Sequence, residues 1–270
     1  MGSSTITVDV ADSIATITLC RPASLNALTA DDYTEFANAL RTIDKRDDVL
    51  VTVWQATGKW FCAGTDVRAS TTTKGANAGL RDNFLQRVVH TTTDCGQALY
   101  SHSKILVAAL NGPVMGIAAA FLGYFDFIYC MENAWLSVPF TFLGIIAEGG
   151  SSVTFVNRMG VAKANEVLLW GKKATAPELQ ASGFINKILP LQSTESFQVA
   201  VRDLLLEELR GLDPTALLVV KRLLKTGLNE KNNPDSVNLR ESYAQAERFS
   251  SGIPGKQFLR IANKEIKHKL

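Results

Sequence analysis

The sequence predicts an α/β fold, and three observations carry the prediction. Over the front two-thirds, short β-branched runs alternate with stretches of helical period, in a recurring order of strand, strand, helix. After Glu148 the chain reads as helix almost to its end. The composition, 46% hydrophobic and 20% charged over 270 residues, buries a sizeable core and is far from that of a disordered chain.

Residues Thr5–Val10 and Ser13–Cys20 flank Ala11-Asp12 and read as a hairpin. Thr29-Ala-Asp-Asp supplies N-cap residues for a helix over Asp31–Arg46, with Phe36, Leu40 and Ile43 on one stripe. Val49–Gln55 is a buried strand. Gly, Thr and Ala crowd Thr57–Ala78, which predicts loops with a tight turn at Cys62-Ala-Gly-Thr-Asp. A helix over Asp82–Tyr100 follows, then a strand over Ile105–Leu110 that ends at Asn111-Gly-Pro. Gly116–Gly123 is a small-residue helix and Asp126–Met131 a strand. Beyond Glu148-Gly-Gly-Ser-Ser, one short strand at Asn186–Leu189 interrupts the helices. Amphipathic helices fall at Phe197–Arg210, Pro214–Thr226, Asp235–Phe249 and Pro254–Lys264. The chain therefore divides by element type into 1–195 and 196–270, with no linker between them.

Several classes of function are excluded. Twenty-eight Lys and Arg against 26 acids give a net charge of +2, too balanced for a nucleic-acid surface. The longest apolar run, around Ala118–Leu122, is far short of the roughly 20 residues of a membrane span. The start lacks the parts of a signal peptide, and Ile6 breaks the myristoylation pattern. Cys20, Cys62, Cys95 and Cys130 are scattered and read as reduced, mostly buried thiols. His90, His102 and His268 have no metal-ligand spacing. Chemistry is thereby left to carboxylates and backbone groups.

Four segments in order resemble the crotonase (enoyl-CoA hydratase/isomerase) superfamily. They are Arg21-Pro-Ala-Ser-Leu-Asn-Ala-Leu, Phe61-Cys-Ala-Gly-Thr-Asp-Val, Asn111-Gly-Pro-Val-Met-Gly-Ile-Ala-Ala-Ala and Phe140-Thr-Phe-Leu-Gly-Ile-Ile-Ala-Glu-Gly-Gly. The resemblance implies a spiral of ββα repeats with a C-terminal helical region that packs in trimers. It also implies an acyl-CoA substrate, with coenzyme A as the substrate's handle and no separate cofactor. By motif position, the backbone N–H groups of Thr65 and Ile117 form an oxyanion hole, their turns made by Gly64 and Gly116. Such donors stabilise an enolate oxygen, and losing one costs roughly 3–4 kcal/mol of barrier in a comparable hydrolase. Arg21, Ser24, Asn26 and Ala27 match the loop that lies against the CoA adenine and phosphates. Cys62, Ala63 and Asp66 match the pantetheine path.

Hydratases of the superfamily use two glutamates to deliver water. Here Ala120 holds the first position, and Pro139 is followed by Phe140 at the second. Water addition needs one group to activate water and another to manage the α-proton, so two apolar residues argue against it. Glu148 remains, in an otherwise uncharged stretch from Asn133 to Asn157. Apolar surroundings raise the basicity of such a carboxylate, whereas at a surface it would merely favour a helix N-terminus. Fungal peroxisomal-type Δ3-Δ2-enoyl-CoA isomerases, a subset of the superfamily, carry a single catalytic glutamate in this Gly-x-x-x-Glu-Gly-Gly setting. The resemblance thus implies a double-bond shift with Glu148 as the proton shuttle, in fatty-acid β-oxidation. The alternative is a diverged crotonase acting on a specialised acyl-CoA. Asp126 reads as a sheet-turn support, and Asp66 is a candidate second acid set in a loop slot that serves capping and packing. Thr91, Thr92 and Thr93 form a polar triplet that reads first as a solvated helix face, with one of them holding a water beside Glu148 as the alternative.

His268-Lys269-Leu270 at the end differs from the peroxisomal Ser-Lys-Leu at its first residue, which predicts a peroxisomal address read by the import receptor. Apolar faces on the C-terminal helices (Leu204–Leu206, Leu217–Val220, Leu223-Leu224), with the family's trimeric habit, predict a trimer or a hexamer of two trimers.

Overall fold

A computed structural model describes residues 5–66 and 80–268, the side chain of Gln86 apart. Its first element is the expected hairpin, β1 (Ile6–Ala11) paired antiparallel with β2 (Ile14–Leu19). Asp12 and Ser13 make the turn at φ 50 and 60, short polar side chains that tolerate the left-handed region. Helix α1 (Ala30–Asp44) starts at Thr29, whose hydroxyl accepts from Asp32 N–H while the Asp32 carboxylate accepts from Thr29 N–H. Strands β3 (Val51–Ala56), β4 (Ile105–Leu110), β6 (Phe127–Met131) and β9 (Lys187–Leu189) extend the hairpin in parallel, in the order β1-β2-β3-β4-β6-β9. All six residues of β4 are buried, the continuous apolar run of a strand covered on both faces.

One face, with Ile17, Trp54, Leu106 and Ile128, packs against Phe36 and Leu40 of α1 and the helices that follow. Trp54 anchors it, with the rings of Phe36, Phe61 and Phe125 at 4.7, 4.8 and 5.7 Å. The other face, with Val51, Val53, Val107 and Tyr129, is covered by Phe197, Val201 and Leu205 of α6 (Thr194–Leu209). The chain beyond 195 therefore completes the core of the sheet before it continues as α7 (Pro214–Lys231), α8 (Pro234–Ser250) and α9 (Ile253–Ala262).

Three features depart from the sequence expectations. Residues 80–101, expected as a regular helix from Asp82 to Tyr100, form one helical rod (α2) whose middle, Phe84–Thr93, is wound as a π-helix. Its wider turn moves side chains off the 3.6-residue stripe, and π segments recur at functional sites. A second sheet of three very short strands is the next departure. It consists of β5 (Val114–Met115), β7 (Trp135–Ser137) and β8 (Ala174–Thr175), in the order β5-β7-β8. Two-residue strands carry no alternation to read. Finally, β8 adds a strand to a region expected to hold only Asn186–Leu189. Helices α3 (Gly116–Phe121), α4 (Ser151–Leu168) and α5 (Ala176–Ala181), with 3-10 turns at Pro22–Ser24 and Leu122–Tyr124, complete the described elements. Among the described residues no helix is long and apolar enough to cross a membrane.

Candidate active site

The loop after β2 is held by its own polar side chains. Leu25 and Asn26 both take positive φ, 53 and 55. Asn26 is buried and donates to Thr57 O and Trp60 O at 2.8 and 2.9 Å, while its Oδ1 accepts from Arg21 N–H. Arg21 places its guanidinium between two carboxylates, Asp32 and Asp66, each at 3.1 Å, and also donates to Ala27 O. That charge ties to α1 and to the following turn the loop that the resemblance lays against CoA. Asp66 is engaged in the same pair. Ser24 and Ala27 are half-buried in the tight turn, with Ala27 N–H on Ser24 O.

Two strand ends cross beside this loop. Phe61 and Cys62 donate their amides to Pro113 O, and Met115 N–H donates to Cys62 O at 2.9 Å. Ala63 N–H reaches back to Leu25 O, and Leu28 N–H to Gly64 O. Burial pushes the Cys62 thiol up to about 12, so it stays protonated and donates to Asn26 O.

This crossing brings the two glycine turns together. Gly64 has φ 91 and Gly116 φ 60, and a methyl group on Gly64 would lie 3.1 Å from Met115 O and 3.6 Å from Gly116 Cα. A side chain at Gly64 would therefore be strained by its backbone angle and crowded by the opposite turn. Thr65 follows the first glycine. Ile117 follows the second, in the opening turn of α3, where amides have no partner within the helix. Among the described residues neither Thr65 N–H nor Ile117 N–H donates a hydrogen bond. Thr65 is exposed and Gly116 half-buried, so the rim of the paired turns faces solvent.

Glu148 is 8% exposed. Its position relative to both turns follows from its neighbours. A methyl on Gly149 would meet Ile117 Cδ1 at 3.0 Å and the Phe121 ring at 3.1 Å, and one on Gly150 would overlap Tyr124 Oη. The two glycines after Glu148 are thus what let its loop lie flat on α3 and the turn at 122–124. On the other side stands Tyr33, whose hydroxyl is 2.6 Å from Thr65 Oγ1 and whose phenol is affected by the Glu148 charge. Burial holds that phenol well above its ordinary value. Burial also pushes Glu148 up to about 8, helped by the Glu241 carboxylate and opposed by a hydrogen bond from Gln245.

Glu148 does not serve the N-terminus of α4. The Glu241 carboxylate does so, accepting from Gly150 N–H at 2.7 Å and Ser152 N–H at 3.0 Å. Gln245, one turn further along α8, donates to Glu148 Oε2 at 3.0 Å and accepts from Ile146 N–H at 3.2 Å. Ala120 and Phe140 are fully buried, and neither brings a polar group to the site. Asp126 accepts from Leu106 N–H and pairs with Lys221, both at 2.7 Å, which fixes the start of β4 beside that of β6. The threonine triplet is used internally. Thr91 and Thr92 donate to carbonyls of their own helix, and Thr93 meets Ser242 Oγ at 2.7 Å.

Tyr33, Glu241 and Gln245 escaped the sequence reading. A faint signal exists for the last two. Asn238, Glu241, Ser242 and Gln245 recur at spacings of three and four along one helix, and all are buried.

Comparison with known proteins fits this geometry. The family model described as "Enoyl-CoA hydratase/isomerase" matches residues 9–251. A Delta(3,5)-Delta(2,4)-dienoyl-CoA isomerase of Pyricularia oryzae is 38% identical, over 99% of this chain and 100% of its own. The 3,2-trans-enoyl-CoA isomerase of Saccharomyces cerevisiae is 31% identical, over 94% and 92%. Among solved structures, an enoyl-CoA hydratase/isomerase from Pseudoalteromonas atlantica T6c superposes with a TM-score of 0.83. It covers 99% of this chain and 100% of that one, and at 24% identity it speaks for the fold alone. With the α/β fold and paired turns described above, the chain belongs to the enoyl-CoA hydratase/isomerase family, the crotonase superfamily.

Proposed function

We propose that this protein is a Δ3-Δ2-enoyl-CoA isomerase in fatty-acid breakdown, with Glu148 as its single proton shuttle. The Glu148 carboxylate takes the C2 proton of a 3-enoyl thioester. The thioester oxygen becomes the dienolate oxygen, held by Thr65 N–H and Ile117 N–H. Glu148 then returns the proton at C4, leaving the 2-trans-enoyl thioester. No water, metal or electron acceptor enters the balance. The observation that carries the reading is the buried Glu148 carboxylate, pushed up to about 8 beside the paired glycine turns, with apolar Ala120 and Phe140 at the two hydratase positions.

The test is the pH dependence of kcat/KM on 3-trans-hexenoyl-CoA, which reports the free enzyme's base. A base that titrates near 8 must be deprotonated to act, so the rate falls on the acid side. Activity at pH 6 is expected about a hundredfold below the alkaline plateau, a tenfold loss per pH unit. Hydration of 2-trans-butenoyl-CoA should be absent. A flat profile between pH 6 and 9, or efficient hydration, would overturn the proposal.

A second reading has its own support, since a relative 38% identical is named a dienoyl-CoA isomerase. A 3,5-to-2,4 shift moves a proton between C2 and C6 and requires a group that reaches further than one between C2 and C4. Asp66, the candidate second acid, is paired with Arg21. Turnover of 3,5-octadienoyl-CoA well above that of 3-trans-hexenoyl-CoA would favour this second reading.

We also propose a trimer or hexamer built on the helices after 195, and a peroxisomal address. Of the tail, His268 packs edge-on against the Phe142 ring at 4.7 Å, while Lys269 and Leu270 lie outside the described residues. A fluorescent protein fused to the N-terminus should become punctate, and one blocking the C-terminus should stay diffuse. Equal distribution of the two would refute the address.

A further inference from the structure

Helix α8 reaches the base loop through two buried side chains that the mechanism above leaves without a role. Gln245 bridges Ile146 N–H and Glu148 Oε2, so it grips the loop just before the carboxylate and also the carboxylate itself. Glu241 grips the same loop just after, through Gly150 N–H and Ser152 N–H. Both are almost fully buried, at 1% and 5% exposure. The stripe is fastened in turn to α2. Asn238 donates to Thr93 O at 2.9 Å, and Ser242 meets the Thr93 hydroxyl.

We infer that Glu241 and Gln245 are positioning residues for the base. Gln245 fixes which carboxylate oxygen of Glu148 is left for the substrate, and Glu241 anchors the loop and brings a second buried carboxylate up to it. This deepens the reading of Glu148 as the shuttle and rests on it.

The electrostatics have two opposed parts. A carboxylate close to another disfavours the second charge, so Glu241 makes Glu148 hold its proton more tightly. The Gln245 amide donates to the charged form of Glu148 and does the reverse. The other groups facing the pair do not change charge across the working range. Tyr33 from α1 and Tyr124 from the 122–124 turn are phenols raised by burial. Thr93 of α2 is neutral. Arg240 is exposed on α8 and attracts Glu241 weakly, and Arg248 is spent on Gly144 O at the far end of the loop. Two substitutions on one helix should therefore move the base in opposite directions.

The experiment is the pH profile of kcat/KM on 3-trans-hexenoyl-CoA for wild type, Glu241→Gln, Glu241→Asp and Gln245→Met. Removing a close like charge should shift the acid limb down by about one pH unit or more in Glu241→Gln. Glu241→Asp keeps the charge and should keep the limb near its wild-type position, even at lower stability. Gln245→Met removes the donor and should shift the limb up by about half a unit to one unit, with kcat falling more than KM rises. A helix that merely packs would lower stability and leave the limb in place. Limbs that stay put, or move the same way in both variants, overturn the inference. Should Glu241→Gln not fold, an unmoved limb in Gln245→Met overturns it alone. A folded Glu148→Gln enzyme that keeps its turnover would instead sink the base itself, so the two failures are told apart.

Discussion

Glu148→Gln is expected to lower kcat by about 10³–10⁴-fold or more, the upper end of what a positioned acid–base group contributes, if Glu148 is the single base proposed above. Binding should change little. The amide occupies the same volume, and its carbonyl oxygen can still accept from Gln245 Nε2, so KM should stay within a fewfold of wild type. Stability should move the other way. The folded protein raises Glu148 to about 8, whereas the unfolded chain gives it an ordinary value near 4.5. A raised carboxylate supports folding only while protonated in both states. Its contribution is lost as pH climbs from the lower value through the higher one. At pH 7 this amounts to a cost of up to about 3 kcal/mol, at 1.36 kcal/mol per pH unit, which the glutamine does not carry. The variant should therefore unfold at a higher denaturant concentration than wild type at pH 8, with the gap closing near pH 4.5. Kinetics and denaturant unfolding at three pH values check both halves. A folded variant within about tenfold of wild-type turnover would end the single-base mechanism. A variant less stable than wild type at pH 8 would show that the site does not strain Glu148.

That opposition explains which parts of this protein can be read from its residues. Where burial and residue type agree, the sequence is transparent. β4 is Ile-Leu-Val-Ala-Ala-Leu and is buried throughout, and the stripe Phe36, Leu40, Ile43 faces the sheet as its period implies. The same agreement carries the glycine turns, since positive φ at Gly64 and Gly116 is what a glycine there is for. Legibility fails where polar residues are buried. On α8 the stripe Asn238, Glu241, Ser242, Gln245 looks like a solvated face, because a sequence does not show that its partners include amides of 146–152 and a carboxylate 97 residues before Gln245. The partners of Arg21 are hidden for a similar reason, since Asp32 and Asp66 lie 11 and 45 residues further along the chain. The π-wound stretch of α2 fails on period, and the three-stranded sheet fails on length.

The remaining large effect lies at a glycine remote from any proton. Gly112 sits between β4 and β5, where 58–62 and 111–115 cross backbone to backbone. A methyl added there would lie 2.1 Å from Lys59 O and 3.1 Å from Lys59 C. Neither atom belongs to a side chain that can swing away, so Gly112→Ala must push the two segments apart. Asn111 Nδ2 on Gly58 O, and Phe61 and Cys62 N–H on Pro113 O, resist that motion. Overpacking of this kind costs about 1–3 kcal/mol, occasionally more, and the upper part of the range is expected against backbone. The catalytic consequence follows from register. Gly64 lies two residues beyond Cys62, and Gly116 two beyond Val114, the partners bridged across this crossing. Moving one segment misaligns Thr65 N–H against Ile117 N–H, and the loss of one aligned donor is worth about 10²–10³ in kcat. Gly227→Ala is the control. It lies inside α7 with nothing within 4 Å of the added methyl, and it should stabilise the protein by up to about 1 kcal/mol through helix propensity. Denaturant unfolding should thus move the two variants in opposite directions, and only Gly112→Ala should lose turnover. If Gly112→Ala folds and keeps wild-type kcat, the crossing of 58–62 with 111–115 does not set the spacing of the two donors.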